Sequence, residues 1–267
     1  MIKFANAKIN LGLLVHEKRQ DGFHEIESLM VPISIYDALE FLPSKDFALQ
    51  VLGKEISGDL ESNLITRAFR LVQKETNCPN VKIILQKNIP MGAGLGGGSS
   101  DAAFTILGLN DFFDLKMSES KMSELAAQLG SDCPFFIKNS PQIARGRGEE
   151  LKDFKLNLNG IYLHLICVDA HVSTADAYAG IVPERKEIEW DKVLSGKLPS
   201  WKNSLVNDFE KTVFNRFPEL DEVKKRLYDN GADLALMSGS GSSIFGLYSS
   251  KPNSLTNNIH PEWILEL

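Results

Sequence analysis

The order of apolar and polar positions divides the chain into strand-like and helix-like stretches. Residues 9–15 and 30–35 are apolar-rich runs, and residues 18–22 form a polar turn segment between them, so the first forty residues read as β structure. A third run over residues 38–42 precedes another loop. Asn63 or Ser62 is placed to cap a helix whose apolar residues Leu64, Ile65, Ala68, Phe69 and Val72 recur at helical spacing. Residues 81–89 alternate as a strand that Pro90 ends, and a helix is expected over 99–113 after a glycine-rich run. Another helix is expected over 118–129, with Met122, Leu125, Ala126 and Leu129 on one face and Gly130 as its stop.

Pro134, tolerated in a first helical turn, opens a further short helix. A strand over 161–168 begins the second half. It is followed by a polar stretch over 183–204, a helix over 218–230 ending at Gly231, and a strand over 244–248. Strands and helices mix without strict βαβ alternation, which predicts an α+β fold. The expected division is an N-terminal domain over 1–157, carrying the nucleotide loop, and a substrate-side domain over 158–267.

Composition narrows the partners. With 43% hydrophobic and 24% charged residues the chain is an ordinary globular protein, and a formal charge of −6 disfavours binding nucleic acid by bulk attraction to phosphate. Cys78, Cys133 and Cys167 form no C-x-x-C pair, and the histidines show no metal-ligand spacing. The first residues lack the pattern of a signal peptide and no apolar run suffices for a membrane span. A cytoplasmic protein with a small-molecule partner, no nucleic acid and no membrane is expected, as monomer or homodimer.

Candidate chemistry concentrates in Pro90-Met91-Gly92-Ala93-Gly94-Leu95-Gly96-Gly97-Gly98-Ser99-Ser100. Glycines there give up side-chain packing and leave backbone N–H groups open to a ligand. Ahead of a helix, those amides and the positive end of the helix dipole form an anion site suited to the phosphates of ATP. A flexible linker would need neither the preceding strand nor the following helix. No Lys-Ser or Lys-Thr follows the glycines, so this is not a Walker A loop, and residues 102–113 leave no room for the second strand of a dinucleotide fold. Ser99 and Ser100 place hydroxyls where a phosphate or its Mg²⁺ would sit. Lys8 and Asn10 alternate onto one strand face. Phe23 beside His24 offers a stacking ring and a hydrogen-bonding edge.

Ala7-Lys8-Ile9-Asn10-Leu11, Asp21-Gly22-Phe23-His24, the glycine loop, Gly130-Ser131-Asp132-Cys133-Pro134-Phe135-Phe136 and Ser238-Gly239-Ser240-Gly241 occur in one order. Together they resemble the 4-diphosphocytidyl-2-C-methylerythritol kinases, within the superfamily of galactokinase, homoserine kinase, mevalonate kinase and phosphomevalonate kinase (GHMP). The resemblance runs from Phe4 to about Tyr248. It implies an N-terminal domain like ribosomal protein S5 domain 2, a ferredoxin-like C-terminal domain and an active site in the cleft between them. It implies ATP with Mg²⁺ and transfer to the 2-hydroxyl of a cytidine diphosphate-linked alcohol, in non-mevalonate isoprenoid biosynthesis.

On this resemblance Asp132 is the base and Lys8 polarises the hydroxyl. Asn10 holds the substrate, His24 reads the cytosine edge, and Phe23 and Tyr178 stack on its faces. Ala144 contacts the base through its backbone, and Thr174, Gly239 and Ser240 line the substrate. Phe23 stands where the family commonly has Tyr, Ser131 replaces a common alanine and Cys133 a common valine, none of which removes a group that the chemistry needs. Another superfamily kinase, of the mevalonate, homoserine or sugar type, is the alternative.

Overall fold

The computed structural model describes residues 1–54, 59–255 and 260–267. The chain divides into two compact units that interleave in sequence. The first comprises Met1–Lys8, Pro32–Met91 and Gly96–Ser140; the second comprises Ile9–Val31, Gly92–Leu95 and Pro141–Leu267. Two long strands, β1 (Ile2–Lys18) and β2 (His24–Pro43), each contribute residues to both units.

In the first unit, β2 pairs antiparallel with β4 (Val81–Lys87), which pairs parallel with β3 (Ala48–Gly53). Helix α1 (Leu64–Thr76) starts where Asn63 Oδ1 accepts the Ile65 amide at 2.9 Å. Its apolar face, Ile65, Ala68, Phe69 and Val72, is buried. Helix α2 (Gly97–Phe112) packs against α1, and against α3 (Glu119–Ala127) and α4 (Phe135–Lys138). Ser118 caps α3 by accepting the Lys121 amide. Residues 30–35 and 38–42, expected as separate runs, lie in the one strand β2. Asp37 does not interrupt it, because its buried carboxylate is occupied by the Asn88 and Ile89 amides.

In the second unit, β2 also pairs with β5 (Gln142–Arg145), which pairs with β6 (Glu150–Asp153). A separate antiparallel sheet follows from β7 (Tyr162–Cys167), with α5 (Thr174–Ala179), α6 (Trp190–Leu194), α7 (Leu198–Trp201), α8 (Phe209–Arg216) and α9 (Pro218–Asp229) between it and β8 (Leu234–Met237). Strands β9 (Ser243–Tyr248) and β10 (Glu262–Glu266) complete the order β10-β7-β9-β8. The helical crossover from β7 to β8 and the β8–β9 hairpin are ferredoxin-like features, and the mixed α+β expectation holds. The core here joins Ile166, Ile244 and Met237 of the sheet to Phe209, Val213, Leu220, Val223 and Leu227 of α8 and α9. Among the described residues no helix is long and apolar enough to cross a membrane.

Candidate active site

The glycine run leaves β4 and closes into α2 two residues earlier than its serines suggest, at Gly97. Gly96 is the N-cap in the left-handed region (φ 69°) and brings no side chain to the first turn. The first amides of α2 therefore point outward without an intrahelical acceptor, as an anion site requires. Two glycines have no substitute. A Cβ at Gly94 (φ +75°) would lie 1.9 Å from the Ser238 carbonyl oxygen. One at Gly97 would lie 2.8 Å from Ile89 Cγ2 and 3.0 Å from Lys87 Nζ. Along the rest of the loop, Ala93 and Leu95 are buried, Met91, Gly92 and Gly98 are exposed, and Pro90 and Ser99 are half-buried. Ser100 is fully buried, and its Oγ has no hydrogen-bond partner.

Lys8 and Asp132 come together in the first unit, with Lys8 Nζ 3.6 Å from Asp132 Oδ2. The Lys8 side chain is 4% exposed and that of Asp132 31%, so the carboxylate is the more open of the two. Gly96 lies directly on this pair: a Cβ there would come within 3.1 Å of Lys8 Cε and 3.0 Å of the Phe136 ring. The loop thus delivers its helix N-terminus beside an ammonium and a carboxylate. Cys133, next in the chain, is buried, and burial pushes its thiol up to about 11, leaving no thiolate nucleophile at neutral pH.

In the second unit Asn10 is buried and donates from Nδ2 to Ser28 Oγ at 2.8 Å, while its backbone amide donates to Ser238 Oγ. Ser238 Oγ in turn donates to the Gly94 carbonyl at 2.9 Å, tying the closing Ser-Gly-Ser-Gly turn to the glycine loop. Gly239 is held by Asn207, whose Nδ2 donates to its carbonyl at 2.8 Å, and Ser240 is half-buried. The His24 ring stacks on Tyr178 at 4.5 Å between centroids, 16° from parallel, and Tyr178 meets Phe209 edge-on. Burial and the nearby Lys18 hold the His24 imidazolium below its ordinary range.

Phe23 is 53% exposed, on a turn where its amide donates to Asp21 Oδ1, and the Arg147 guanidinium lies 4.8 Å from its ring centroid. Thr174 opens α5 and is exposed. Ala144 is buried in a three-strand ladder between Ser28 and Leu151.

Three features escape a reading of the sequence, two of them at the loop. A cavity of about 230 Å³ opens beside it, lined by Met91, Gly98, Asp101, Lys87, Ser62 and Asn63 among others. Beneath the loop, Lys87 Nζ donates to Asp37 Oδ2 and, at 2.8 Å, to Asp101 Oδ2, all three side chains being buried. Burial pushes the Asp101 carboxyl up to about 7 against the pull of Lys87. In the second unit, buried Glu27 accepts from Trp190 Nε1 and Arg145; those hydrogen bonds outweigh burial and hold its carboxyl below its usual range. Asp101 directly follows the loop serines and Lys87 lies three positions before Pro90, where the loop begins. Proximity to the motif is the only sequence signal that could have found them.

Comparison with known proteins identifies the class. The family model described as the N-terminal domain of GHMP kinases matches residues 63–140, and that of the GHMP kinase C-terminal domain matches residues 192–259. A Bacteroides fragilis protein named 4-diphosphocytidyl-2-C-methyl-D-erythritol kinase is 48% identical over 253 residues, 93% of this chain and 92% of its own. A protein of the same name from Cytophaga hutchinsonii is 44% identical over 97% of this chain and 96% of its own. The crystal structure of a 4-(cytidine 5'-diphospho)-2C-methyl-D-erythritol kinase superposes with a TM-score of 0.82 at 34% identity, covering 94% of this chain and 91% of that one. The chain belongs to the GHMP kinases and, within them, to the 4-diphosphocytidyl-2-C-methyl-D-erythritol kinase family.

Proposed function

We propose that the chain transfers the γ-phosphoryl group of ATP to the 2-hydroxyl of 4-diphosphocytidyl-2-C-methyl-D-erythritol, giving the 2-phosphate and ADP in non-mevalonate isoprenoid precursor synthesis. The observation that carries this reading is the Lys8–Asp132 pair, 3.6 Å apart, with the loop's Gly96 lying on it. Phosphoryl transfer asks for positioning and charge stabilisation more than covalent chemistry. Asp132 Oδ2 takes the proton of the acceptor hydroxyl as its oxygen attacks phosphorus and the bond to the leaving ADP oxygen breaks. The Lys8 ammonium faces the charge that develops on the attacking oxygen. The outward amides at the start of α2 face the charge on the phosphoryl oxygens.

The residues present fit the nucleotide. Gly92 and Gly98 are exposed and leave the loop backbone open, while Gly94 and Gly97 let the loop pack closely on Ser238 and Ile89. The cavity between Met91, Gly98 and Asn63 opens at the loop and has room for the flat ring of the nucleotide base. Mg²⁺ bound with ATP would neutralise phosphate charge; no side chain is assigned as its direct ligand, the Ser100 hydroxyl being buried, and among the described residues no cluster of His, Cys, Asp or Glu forms a metal site by itself. Phe23 and Tyr178 take the cytosine faces and His24 its edge, which requires the His24 and Tyr178 rings, stacked on each other at 4.5 Å, to part around the base, while Asn10, Gly239 and Ser240 take the alcohol.

ADP release, measured with ATP and a panel of acceptors, tests this. The reading expects turnover with the cytidyl alcohol to exceed that with mevalonate, homoserine or galactose by at least about a thousandfold in kcat/KM, on the order of 4 kcal/mol of discrimination. Comparable rates on any of those acceptors would overturn it.

A further inference from the structure

We propose that Asp37, Lys87 and Asp101 form a buried strut that sets the width of the glycine loop and so determines how tightly the nucleotide phosphates are held. The proposal rests on the reading that this loop binds ATP. The loop has two arms. The first leaves β4 at Lys87 and runs through Asn88 and Ile89; the second is the opening turn of α2. Asp37, on β2, takes hold of the first arm at three points. Its Oδ1 accepts the amides of Asn88 at 2.5 Å and Ile89 at 2.8 Å, and its Oδ2 accepts from Lys87 Nζ. The same ammonium donates at 2.8 Å to Asp101 Oδ2 on the second arm. One cation therefore links the strand that feeds the loop to the helix that receives it.

The link is enclosed. The side chains of Lys87, Asp37 and Asp101 are 2%, 0% and 4% exposed, so water does not compete for these charge-assisted bonds. The second arm also rests on the first: the Cβ position of Gly97 is 2.8 Å from Ile89 Cγ2 and 3.0 Å from Lys87 Nζ. A bulkier residue at 97 would push the arms apart at the point where Lys87 draws them together.

The loop needs such a device because its own sequence cannot supply it. Glycine loses more conformational freedom on ordering than any other residue, and five of the seven positions from 92 to 98 are glycine. Amides that must be ordered by the ligand bind it less tightly than amides ordered beforehand. A strut at the base of the loop fixes the ends of this run and leaves fewer arrangements open to the residues between. Asp37 is a positioning residue that reaches the nucleotide through the loop backbone, whereas Lys87 and Asp101 brace the loop and also line the cavity assigned to the base.

The test compares Asp101→Asn, Asp101→Leu and Lys87→Met with the unmodified protein, by calorimetric titration with ATP and with ADP and by the KM for the cytidyl alcohol. Asp101→Asn keeps an oxygen that accepts from Lys87 and is expected to bind ATP within about threefold of the unmodified protein. Asp101→Leu and Lys87→Met are expected to weaken ATP and ADP binding by about tenfold or more, with the KM for the alcohol changed by no more than about twofold. Unchanged ATP affinity in folded Asp101→Leu overturns the strut. So does an equal loss for both substrates, or an Asp101→Asn as weak as Asp101→Leu. If the Leu and Met variants do not fold, amide exchange of the unmodified protein decides. The strut requires the Asn88 and Ile89 amides to exchange as slowly as those inside β4, and fast exchange there overturns it. An unmodified protein that does not bind ATP overturns the functional reading, and the strut with it.

Discussion

In the proposed reaction Asp132 is the base, and its surroundings make a specific demand. It is open enough to meet an acceptor hydroxyl, while Lys8 is enclosed and fixed beside it. Replacing Asp132 with Asn keeps the volume and the hydrogen-bonding reach but removes the base. Turnover should fall by about 10²–10⁴-fold, or ~3–5 kcal/mol of transition-state stabilisation, while ATP affinity stays near normal. Single-turnover kinetics with calorimetric ATP binding check both halves, and near-normal turnover would remove Asp132 from its role. His24 makes a different demand. Its imidazolium is disfavoured by burial and by Lys18, so the ring is neutral on the alkaline side of its ordinary value of 6.5. A neutral ring has one donor and one acceptor nitrogen, whereas the protonated ring has two donors and no acceptor. The KM for the cytidyl alcohol should therefore be flat above 6.5 and rise only on the acid side, and His24→Ala should raise it at every pH. A KM that rises with alkalinity through this range would assign the base contact to another group.

Among the elements, α2 shows how packing overrides local preference. Gly108 lies inside this helix, where Ala is ordinarily better by about 1 kcal/mol. Here a Cβ would stand 2.2 Å from Cζ of the buried Phe41 ring on β2. Gly108→Ala should destabilise the protein, by about 1–3 kcal/mol, against the helix-propensity trend. A denaturant midpoint that rises would show that the ring yields freely.

The same helix shows what the sequence could reveal about elements. A cap at Ser62 or Asn63 and the glycine run were legible, because each is a local pattern with a local physical cause. The start of α2 at Gly97 was not, since Gly96 takes the left-handed cap and draws two poor helix formers into the first turn. Strand β3 lacks a buried alternating face and gains its place from parallel pairing with β4. Helices α6 and α7 fall in a stretch read as polar; each is short and anchored by one buried tryptophan, Trp190 or Trp201, rather than by a periodic face. The strut was hidden for another reason. Asp37 and Lys87 are fifty positions apart, and no local pattern joins them.

Across the whole molecule, a chain of net charge −6 acts on anionic substrates, so bulk attraction cannot bring them in. On the proposed reading local devices replace it: outward amides at the start of α2, the Lys8 ammonium, and glycines that let a phosphate approach the backbone. This explains why the functional class was legible before the fold. The residues proposed to meet phosphate cluster in one short run, whereas those proposed to meet the cytidyl group are scattered over β2, its preceding turn and α5. Their assembly into the His24–Tyr178 stack depends on how the second unit folds.

The most direct test is phosphorus-31 NMR of a reaction holding ATP, Mg²⁺ and 4-diphosphocytidyl-2-C-methyl-D-erythritol with the purified protein. The account predicts one new phosphomonoester resonance, growing in step with ADP while the diphosphate resonances of the alcohol persist. ADP accumulating with inorganic phosphate and no phosphomonoester would contradict it.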